Sequence, residues 1–197
     1  MATKALISEC RREGVMDIEV KVVVIVGLSP LLMNNPAGMN PKAPGIKAKK
    51  IPTPENEAAA KAYKMADGQL YLPALAFRAA VLRQCVGRKI GRYSAISIVS
   101  GAVLVPEERC LLVDVDDKPL CDYAIDVRRV VVQRNGVMRA RPRIEKWRTR
   151  LALEINTEMV GVADILELLQ AAGRAVGVGD FRPERKGMFG RFTADWE

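Results

Sequence analysis

The chain has 197 residues, 49% of them hydrophobic and 27% charged, a composition typical of a folded globular domain and not of a disordered segment. This length is sufficient for one domain with a hydrophobic core. A formal net charge of +8 at pH 7 favours polyanionic partners, because cationic side chains that neutralise phosphates release counterions.

Cysteine and histidine usage argues against a metal centre. The chain has no histidine, and its four cysteines are too scattered to form a CxxC pair. The polar N-terminus carries no visible secretory signal, and the longest apolar run, Val22–Leu28, is too short to cross a bilayer. We therefore expect a cytoplasmic protein with reduced, buried thiols, no metal, no cofactor and no membrane partner.

The first part of the chain predicts one strand and then a long loop insertion, 34–72. Alternating valines predict a strand over Met16–Leu28, which becomes apolar on both faces and is therefore expected at the centre of a sheet. Pro30–Pro54 holds six prolines and four lysines, which indicates a loop. A short helix over Glu55–Met65 and a strand over Gln69–Leu72 are expected to follow.

A helix is predicted from Pro73 to Val86, because proline is tolerated in the first turn of a helix. The expected buried stripe consists of Leu75, Ala79, Leu82 and Val86. Short strands are expected at Ala102–Val105 and Cys110–Val115.

A hairpin insertion, 123–146, is the clearest local prediction. Tyr123–Gln133 and Val137–Ile144 have strand-like composition and flank Arg134-Asn135-Gly136, and Asn-Gly between two strands is a strong hairpin signal. A further strand is predicted over Trp147–Ile155, with Trp147, Thr149, Leu151, Leu153 and Ile155 on one face. After it, apolar residues at helical spacing predict a helix, and a last strand is expected over Phe189–Ala194; the helical stripe is Val162, Ile165, Leu166, Leu169 and Ala172.

Without its loops, the chain reads strand, helix, strands, strand, helix, strand. This order predicts an α+β, ferredoxin-like (RRM-like) fold, with two helices on one face of an antiparallel sheet, a long loop after the first strand and a basic β-hairpin insertion. We expect residues 1–197 to form a single domain. The other face of such a sheet would be free to meet a ligand.

Basic residues are concentrated in and after the predicted hairpin. Nine lie between Arg128 and Arg150, and in this stretch only Glu145 opposes them. Strand alternation places Arg139, Arg141 and Arg143 on one face, where like charges repel unless an anion lies across them. The pattern indicates a nucleic-acid contact, with an edge hairpin protected by charge as the alternative.

Two further basic clusters lie in loops. Lys42, Lys47, Lys49 and Lys50 lie in the proline-rich segment, and Arg182, Arg185, Lys186 and Arg191 lie in GVGDFRPERKGMFGRF near the C-terminus. The glycines of this second segment follow a helix and precede a strand, which is the reverse of a dinucleotide-binding fingerprint. A helix C-cap followed by a turn is the alternative interpretation.

The helix–GVGDFRPERKGMFGRF–strand ending, over residues 173–194, resembles the glycine-rich loop of the RAMP superfamily, which includes the backbone subunits of CRISPR effector complexes. The resemblance implies a core like an RNA-recognition fold, a protruding hairpin, and copies stacked head-to-tail along a guide RNA, with other effector subunits as further partners. Some members of the family cleave RNA with a histidine, or with an aspartate in the loop after the first strand. This chain has no histidine and no acidic residue between Glu19 and Glu55, so we expect no inherited cleavage.

The first hypothesis is therefore a non-catalytic protein that binds single-stranded nucleic acid, with RNA expected over DNA, and polymerises along the strand. The candidate binding residues are Lys47, Lys49, Lys50, Arg139, Arg141, Arg143, Gly177, Gly179, Phe181, Arg182, Arg185 and Lys186. The glycines are expected to let backbone N–H groups approach phosphates. Trp147 and Met33 are additional candidates for stacking or wedging.

Two other classes of function stay open. One is a structural or assembly protein of a phage or mobile element, whose basic loops meet acidic protein surfaces. The other is a nuclease that uses the carboxylates of Asp114, Asp116 and Asp117, although this segment lacks the spacing of a calcium loop and is expected to form a solvated turn.

Overall fold

The computed structural model describes residues 17–38, 53–132 and 134–197, and within them it has a mixed α+β architecture. The strands are β1 (Ile18–Gly27), β2 (Leu31–Leu32), β3 (Tyr71–Pro73), β4 (Lys89–Ile90), β5 (Tyr93–Ser94), β6 (Val103–Leu104), β7 (Arg109–Leu111), β8 (Ala124–Val132), β9 (Asn135–Ile144), β10 (Arg148–Asn156) and β11 (Phe192–Trp196). The α-helices are α1 (Pro54–Lys61), α2 (Ala74–Gln84), α3 (Ala95–Ala102) and α4 (Val162–Ala175).

The central sheet is antiparallel, with the strand order β11-β1-β10-β6. The predicted central position of the first strand is confirmed, since β1 lies between β10 and β11. One face of β1 is buried through Val23 and Ile25, whereas Val20 on the other face is 45% exposed. The apolar residues on both faces of this strand are therefore not buried on both faces.

Helices α2 and α4 pack against the buried face of this sheet. The Phe77 ring of α2 meets the Phe192 ring of β11 edge to face, with centroids 5.6 Å apart. The stripe predicted for α2 is wrong: Leu75 and Val86 are exposed, while Phe77 is fully buried. The segment is apolar nearly all round, so helical spacing alone could not select the face that meets β11. In α4 the predicted Ile165, Leu169 and Ala172 are buried.

The hairpin β8–β9 belongs to a second antiparallel sheet, with the order β2-β9-β8. Leu31 and Leu32 pair with Ile144 and Arg143, and they attach the base of the hairpin to the segment just after β1. The predicted hairpin is confirmed, but Asn135 and Gly136 belong to β9, where they pair with Val132 and Val131, so the prediction that Arg134-Asn135-Gly136 forms the turn is wrong.

The predicted loop insertion contains ordered elements. A 3₁₀ turn at Pro36–Gly38 lies at its start, just after β2, and α1 ends at Lys61 instead of Met65. The Thr53 side chain caps α1 by accepting a hydrogen bond from the Asn56 N–H. Within the described residues, no helix is both long and apolar enough to cross a membrane.

Two of the described cysteines, Cys85 and Cys110, are buried as expected, and burial raises the pKa of the Cys110 thiol to about 12. Cys121 is exposed, which corrects the expectation that the thiols are buried. All three are free.

Candidate nucleic-acid interface

One face of the hairpin carries the predicted arginines. In the register of β8 and β9, Arg139 lies opposite Arg128, and Arg141 lies opposite Asp126. Directly paired residues in an antiparallel ladder point to the same face of the sheet. Arg139, Arg141 and Arg143 therefore share one face, as the alternation predicted, and Arg128 joins them there.

Carboxylates from distant segments neutralise two of these arginines. Glu57 of α1 reaches the hairpin, where its Oε1 lies 3.2 Å from Arg139 Nη1 and its Oε2 accepts a hydrogen bond from the Ala140 N–H at 3.0 Å. Asp180 of the glycine-rich segment places its Oδ2 2.5 Å from Arg141 Nε. Arg141 is a buried residue, with only 10% of its side chain exposed.

Local carboxylates neutralise the other two arginines. Asp126 accepts from Arg128 through both carboxylate oxygens, with Nη2 to Oδ2 at 2.9 Å, and its Oδ2 also lies 3.7 Å from Arg143 Nη1. Glu145 Oε1 lies 2.8 Å from Arg143 Nε. Hydrogen bonding to Asp126 raises the pKa of Arg128, so this guanidinium stays charged.

The expectation that only Glu145 opposes the basic cluster is thus corrected by the fold. Anions compensate the like charges on this face, as the repulsion between neighbouring arginines requires. These anions are carboxylates of the chain itself. The two long-range partners, Glu57 and Asp180, are 82 and 39 positions away from the arginines that they meet, and no spacing rule connects them. The arginine face is consequently a paired surface, with little free positive charge.

Two phenylalanines of the glycine-rich segment lie against the same arginine face. The Arg128 guanidinium carbon is 4.4 Å from the centroid of the Phe189 ring, and the corresponding carbon of Arg141 is 5.0 Å from that of Phe181. Arg143 lies 5.8 Å from Phe189. These distances are within the range of cation–π contacts. The hairpin and the glycine-rich segment therefore form one continuous arginine–phenylalanine surface.

The glycines of this segment serve its own packing. Gly177 and Gly179 have φ of +72° and +76°, and a Cβ at Gly179 would lie 2.5 Å from the Leu32 carbonyl oxygen. The Gly177 N–H donates to the Ala172 carbonyl at 2.9 Å. The predicted role of Gly177, an N–H turned toward phosphate, is therefore not seen, and both glycines allow the segment to lie close to its neighbours.

The remaining predicted residues of this segment differ in whether their side chains are free to bind a ligand. Arg182 donates to the Glu184 carboxylate and, at 3.0 Å, to the Gly179 carbonyl, so its fork is occupied. Arg185 and Lys186 are exposed and form no ion pair within the described part of the chain. Phe181 has φ of +50°, a left-handed conformation that is unusual for a bulky residue, and it carries the Arg141 contact.

Several other candidates fall outside this surface. Lys47, Lys49 and Lys50 lie outside the described residues. Trp147 and Met33 are fully buried, and the Trp147 Nε1–H donates to the Ser29 carbonyl at 3.0 Å, so the prediction that they stack on or wedge between bases is wrong. Arg128 and Phe189 were missed, although the alternation along β8 contained the signal for Arg128.

The acidic segment after β7 forms a turn stabilised by its own backbone. Asp114 Oδ1 accepts hydrogen bonds from the N–H groups of Lys118 and Asp116, at 2.9 and 2.8 Å, and this bonding lowers the pKa of the carboxyl. Asp117 pairs with Arg148 and Arg150, each at 3.5 Å. In the residues that the structure describes, no group of three or more acidic, cysteine or histidine side chains is placed to hold a metal ion.

No protein-family model and no curated protein matches this sequence. Among solved structures, the chain is similar to the crystal structure of Cmr6 from Pyrococcus furiosus, with a TM-score of 0.45 and 9% sequence identity. The match covers 90% of this chain and 99% of that chain. A likeness at this score and identity does not assign a function, which has to be inferred from the residues of the site.

Proposed function

We propose that this chain is a non-catalytic subunit that binds single-stranded nucleic acid, with RNA as the preferred form, through the arginine–phenylalanine surface. The observation that carries the proposal is the set of cation–π contacts that Arg128, Arg141 and Arg143 make with Phe181 and Phe189. Proteins that bind single strands combine cationic side chains with planar groups on which bases stack.

We further propose that the core is ferredoxin-like and related to the RAMP fold. In chain order β1, α2, β6, β10, α4 and β11 follow the pattern strand, helix, two strands, helix, strand. In the sheet the last strand lies beside the first, in the order β11-β1-β10-β6. Both features are those of the split βαβ arrangement and support this assignment.

The interface is assigned to the hairpin and the glycine-rich segment and not to the open face of the central sheet. RNA-recognition folds stack bases on aromatic side chains of that open face. Here β1 presents Val20, Val22, Val24 and Val26 on it. Valine has no ring to stack on a base, so the Phe181 and Phe189 region is the better candidate.

A non-catalytic role is part of the proposal. The carboxylates expected for a nuclease are engaged elsewhere, Asp114 by backbone N–H groups and Asp117 by two arginines. A general base requires a carboxylate that can accept a proton near the operating pH, whereas backbone hydrogen bonds lower the pKa of Asp114. Assembly along the strand, with copies head-to-tail and with other effector subunits, rests on the resemblance of residues 173–194 to the RAMP loop.

A structural role in a protein assembly is the second candidate, and the opposite face of the hairpin favours it. Ile125, Val127 and Met138 lie there with exposed fractions of 41, 46 and 60%. An apolar hairpin face can pack against another protein while the arginine pairs remain intact. In that case oligomers would form without nucleic acid and persist in high salt, since apolar contacts are not screened.

The test is the binding of nuclease-treated protein to labelled single-stranded RNA, single-stranded DNA and duplex across a salt series. We expect micromolar or tighter binding to RNA, a negative dependence on salt, and stepwise assembly on longer strands. The absence of binding to all three at low salt would reject the proposal and favour the structural role. Metal-dependent cleavage of the RNA would instead support the nuclease hypothesis, to be checked by changing Asp114, Asp116 and Asp117.

A further inference from the structure

The Arg128 guanidinium has a fixed plane. Its Nε and Nη2 groups both donate to the Asp126 carboxylate, which is the two-point geometry that holds the fork in one orientation. The guanidinium carbon lies 4.4 Å from the centroid of the Phe189 ring and 6.0 Å from that of the Phe181 ring. A carboxylate and two aromatic rings therefore hold this side chain in place.

The same contacts reduce its value as a phosphate ligand. Two of its N–H groups are already used by Asp126, whose side chain is only 8% exposed and whose charge offsets that of the guanidinium. The Arg128 side chain, in contrast, is 37% exposed. The Arg128 side chain is therefore partly accessible and already hydrogen-bonded along one edge of its guanidinium.

We infer that Arg128 is a stacking platform for a nucleobase, with the base on the guanidinium and Phe189 behind it. This inference rests on the proposed function and specifies which part of the nucleic acid the site binds. Bases splayed from a single strand stack on arginine planes as well as on aromatic rings. Because Asp126 and Phe189 hold the plane in place before binding, little side-chain freedom is lost when the base arrives.

Contact with the bases can be distinguished experimentally from contact with the sugar–phosphate backbone. A phosphate ligand would use the N–H groups of Arg128 that Asp126 leaves free, whereas a stacked base would contact the plane of the guanidinium. An oligomer of uridine and an abasic oligomer of the same length carry the same phosphates, but only the first has bases to stack. Arg128→Lys keeps the positive charge and removes the plane, so it distinguishes the two modes.

A matched control is Arg150→Lys. Arg150 lies opposite Val24 in the central sheet, and its Nε donates to Glu197 at 2.7 Å, so it is also an exposed arginine with a carboxylate partner. Affinities of the full chain and both variants are measured for the two oligomers at several salt concentrations. Unfolding midpoints of the variants verify that each one is folded.

We expect Arg128→Lys to lose about tenfold in affinity for the uridine oligomer, with an unchanged salt slope and unchanged binding to the abasic oligomer. Arg150→Lys should bind both as the parent does. Equal losses on both oligomers, or no loss on either, would overturn the stacking role. If the parent chain binds neither oligomer, the proposed function itself is wrong.

A second measurement requires no variant. A 4-thiouridine oligomer bound to the parent chain is irradiated, and the crosslinked peptide is identified. We expect crosslinks within 124–132 or at Phe189. Efficient crosslinking confined to other peptides would place the bases elsewhere and overturn the inference while leaving nucleic-acid binding intact.

Discussion

Arg141 forms an ion pair with Asp180 beneath the surface of the protein, where the two side chains are only 10% and 24% exposed. The pair joins the hairpin to the glycine-rich segment, which are 39 positions apart in the sequence. When one partner of a buried pair is removed, the other is left charged and without compensation, so the loss of stability is large even where the net contribution of the pair is small.

The first prediction concerns this pair. Asp180→Asn should lower the free energy of unfolding by about 3 kcal/mol, because Arg141 would stay buried with its charge unpaired. The measurement is urea denaturation at neutral pH. Glu145→Gln is the matched control, since the pair between Glu145 and Arg143 is more exposed and should contribute less than about 1 kcal/mol. Equal losses in the two variants would show that Arg141 is not effectively buried.

The second prediction separates backbone strain from close packing. Gly179 and Gly87 have nearly the same φ, +76° and +78°, but a Cβ would strike the Leu32 carbonyl only at Gly179, and at Gly87 it would meet nothing within 4 Å. Gly87→Ala should cost about 1 kcal/mol for the left-handed conformation alone. We expect Gly179→Ala to cost clearly more, as a shift of the unfolding midpoint, and similar midpoints would contradict the contact with β2.

The third prediction tests the exposed cations of the glycine-rich segment. Arg185→Glu combined with Lys186→Glu should weaken RNA binding and reduce the salt slope by about 1, because these unpaired cations are free to meet phosphates. The control is the double variant Lys64→Glu and Lys118→Glu, which changes the net charge by the same amount at other exposed positions. Identical losses in both double variants would indicate a general effect of charge.

The fourth prediction is a pH dependence of stability. Burial of Glu57 opposes its ionisation, but the Ala140 N–H, Lys61 and Arg139 outweigh this and hold the pKa of the carboxyl below its ordinary value of 4.5. A carboxyl with a lowered pKa in the folded state stabilises the protein above 4.5, and this contribution is lost as the pH falls through the folded-state pKa.

Glu57→Gln should accordingly be less stable than the parent at pH 7, and the difference should shrink as the pH is lowered from 5 toward 3. Unfolding midpoints across this range provide the measurement. Glu167→Gln, at an exposed position of α4, is expected to match the parent throughout. A difference between Glu57→Gln and the parent that stays constant with pH would exclude the ionised Glu57 as its source.

Local rules predicted the hairpin and the shared face of its arginines, because two strand-like runs are joined by a short polar segment and a strand has a fixed period of two. The same period predicted that Trp147, Thr149, Leu151, Leu153 and Ile155 share one face, and all five are buried. These features depend only on residues within about ten positions of one another, so they could be predicted from the sequence.

The carboxylate partners could not be predicted, because they depend on how distant segments pack. Glu57 is expected from its sequence to be an ordinary surface residue near a helix start, and only the packing of α1 beside β9 brings it to Arg139 and the Ala140 N–H. The stripe of α2 failed for a related reason, since the contact between Phe77 and Phe192 selects the buried face. Helix α3 was missed because its short, apolar sequence has no polar face to indicate a period.

The hydrogen bond from the Ala140 N–H to Glu57 protects β9 from pairing with a strand of another chain. A long strand such as β9 offers a row of backbone donors, and such a row can act as a template for adding a strand from another chain. Glu57 occupies one of these donors and places a charged side chain beside it, with Lys61 2.9 Å from the same carboxylate. Strand addition to β9 is therefore blocked at this point.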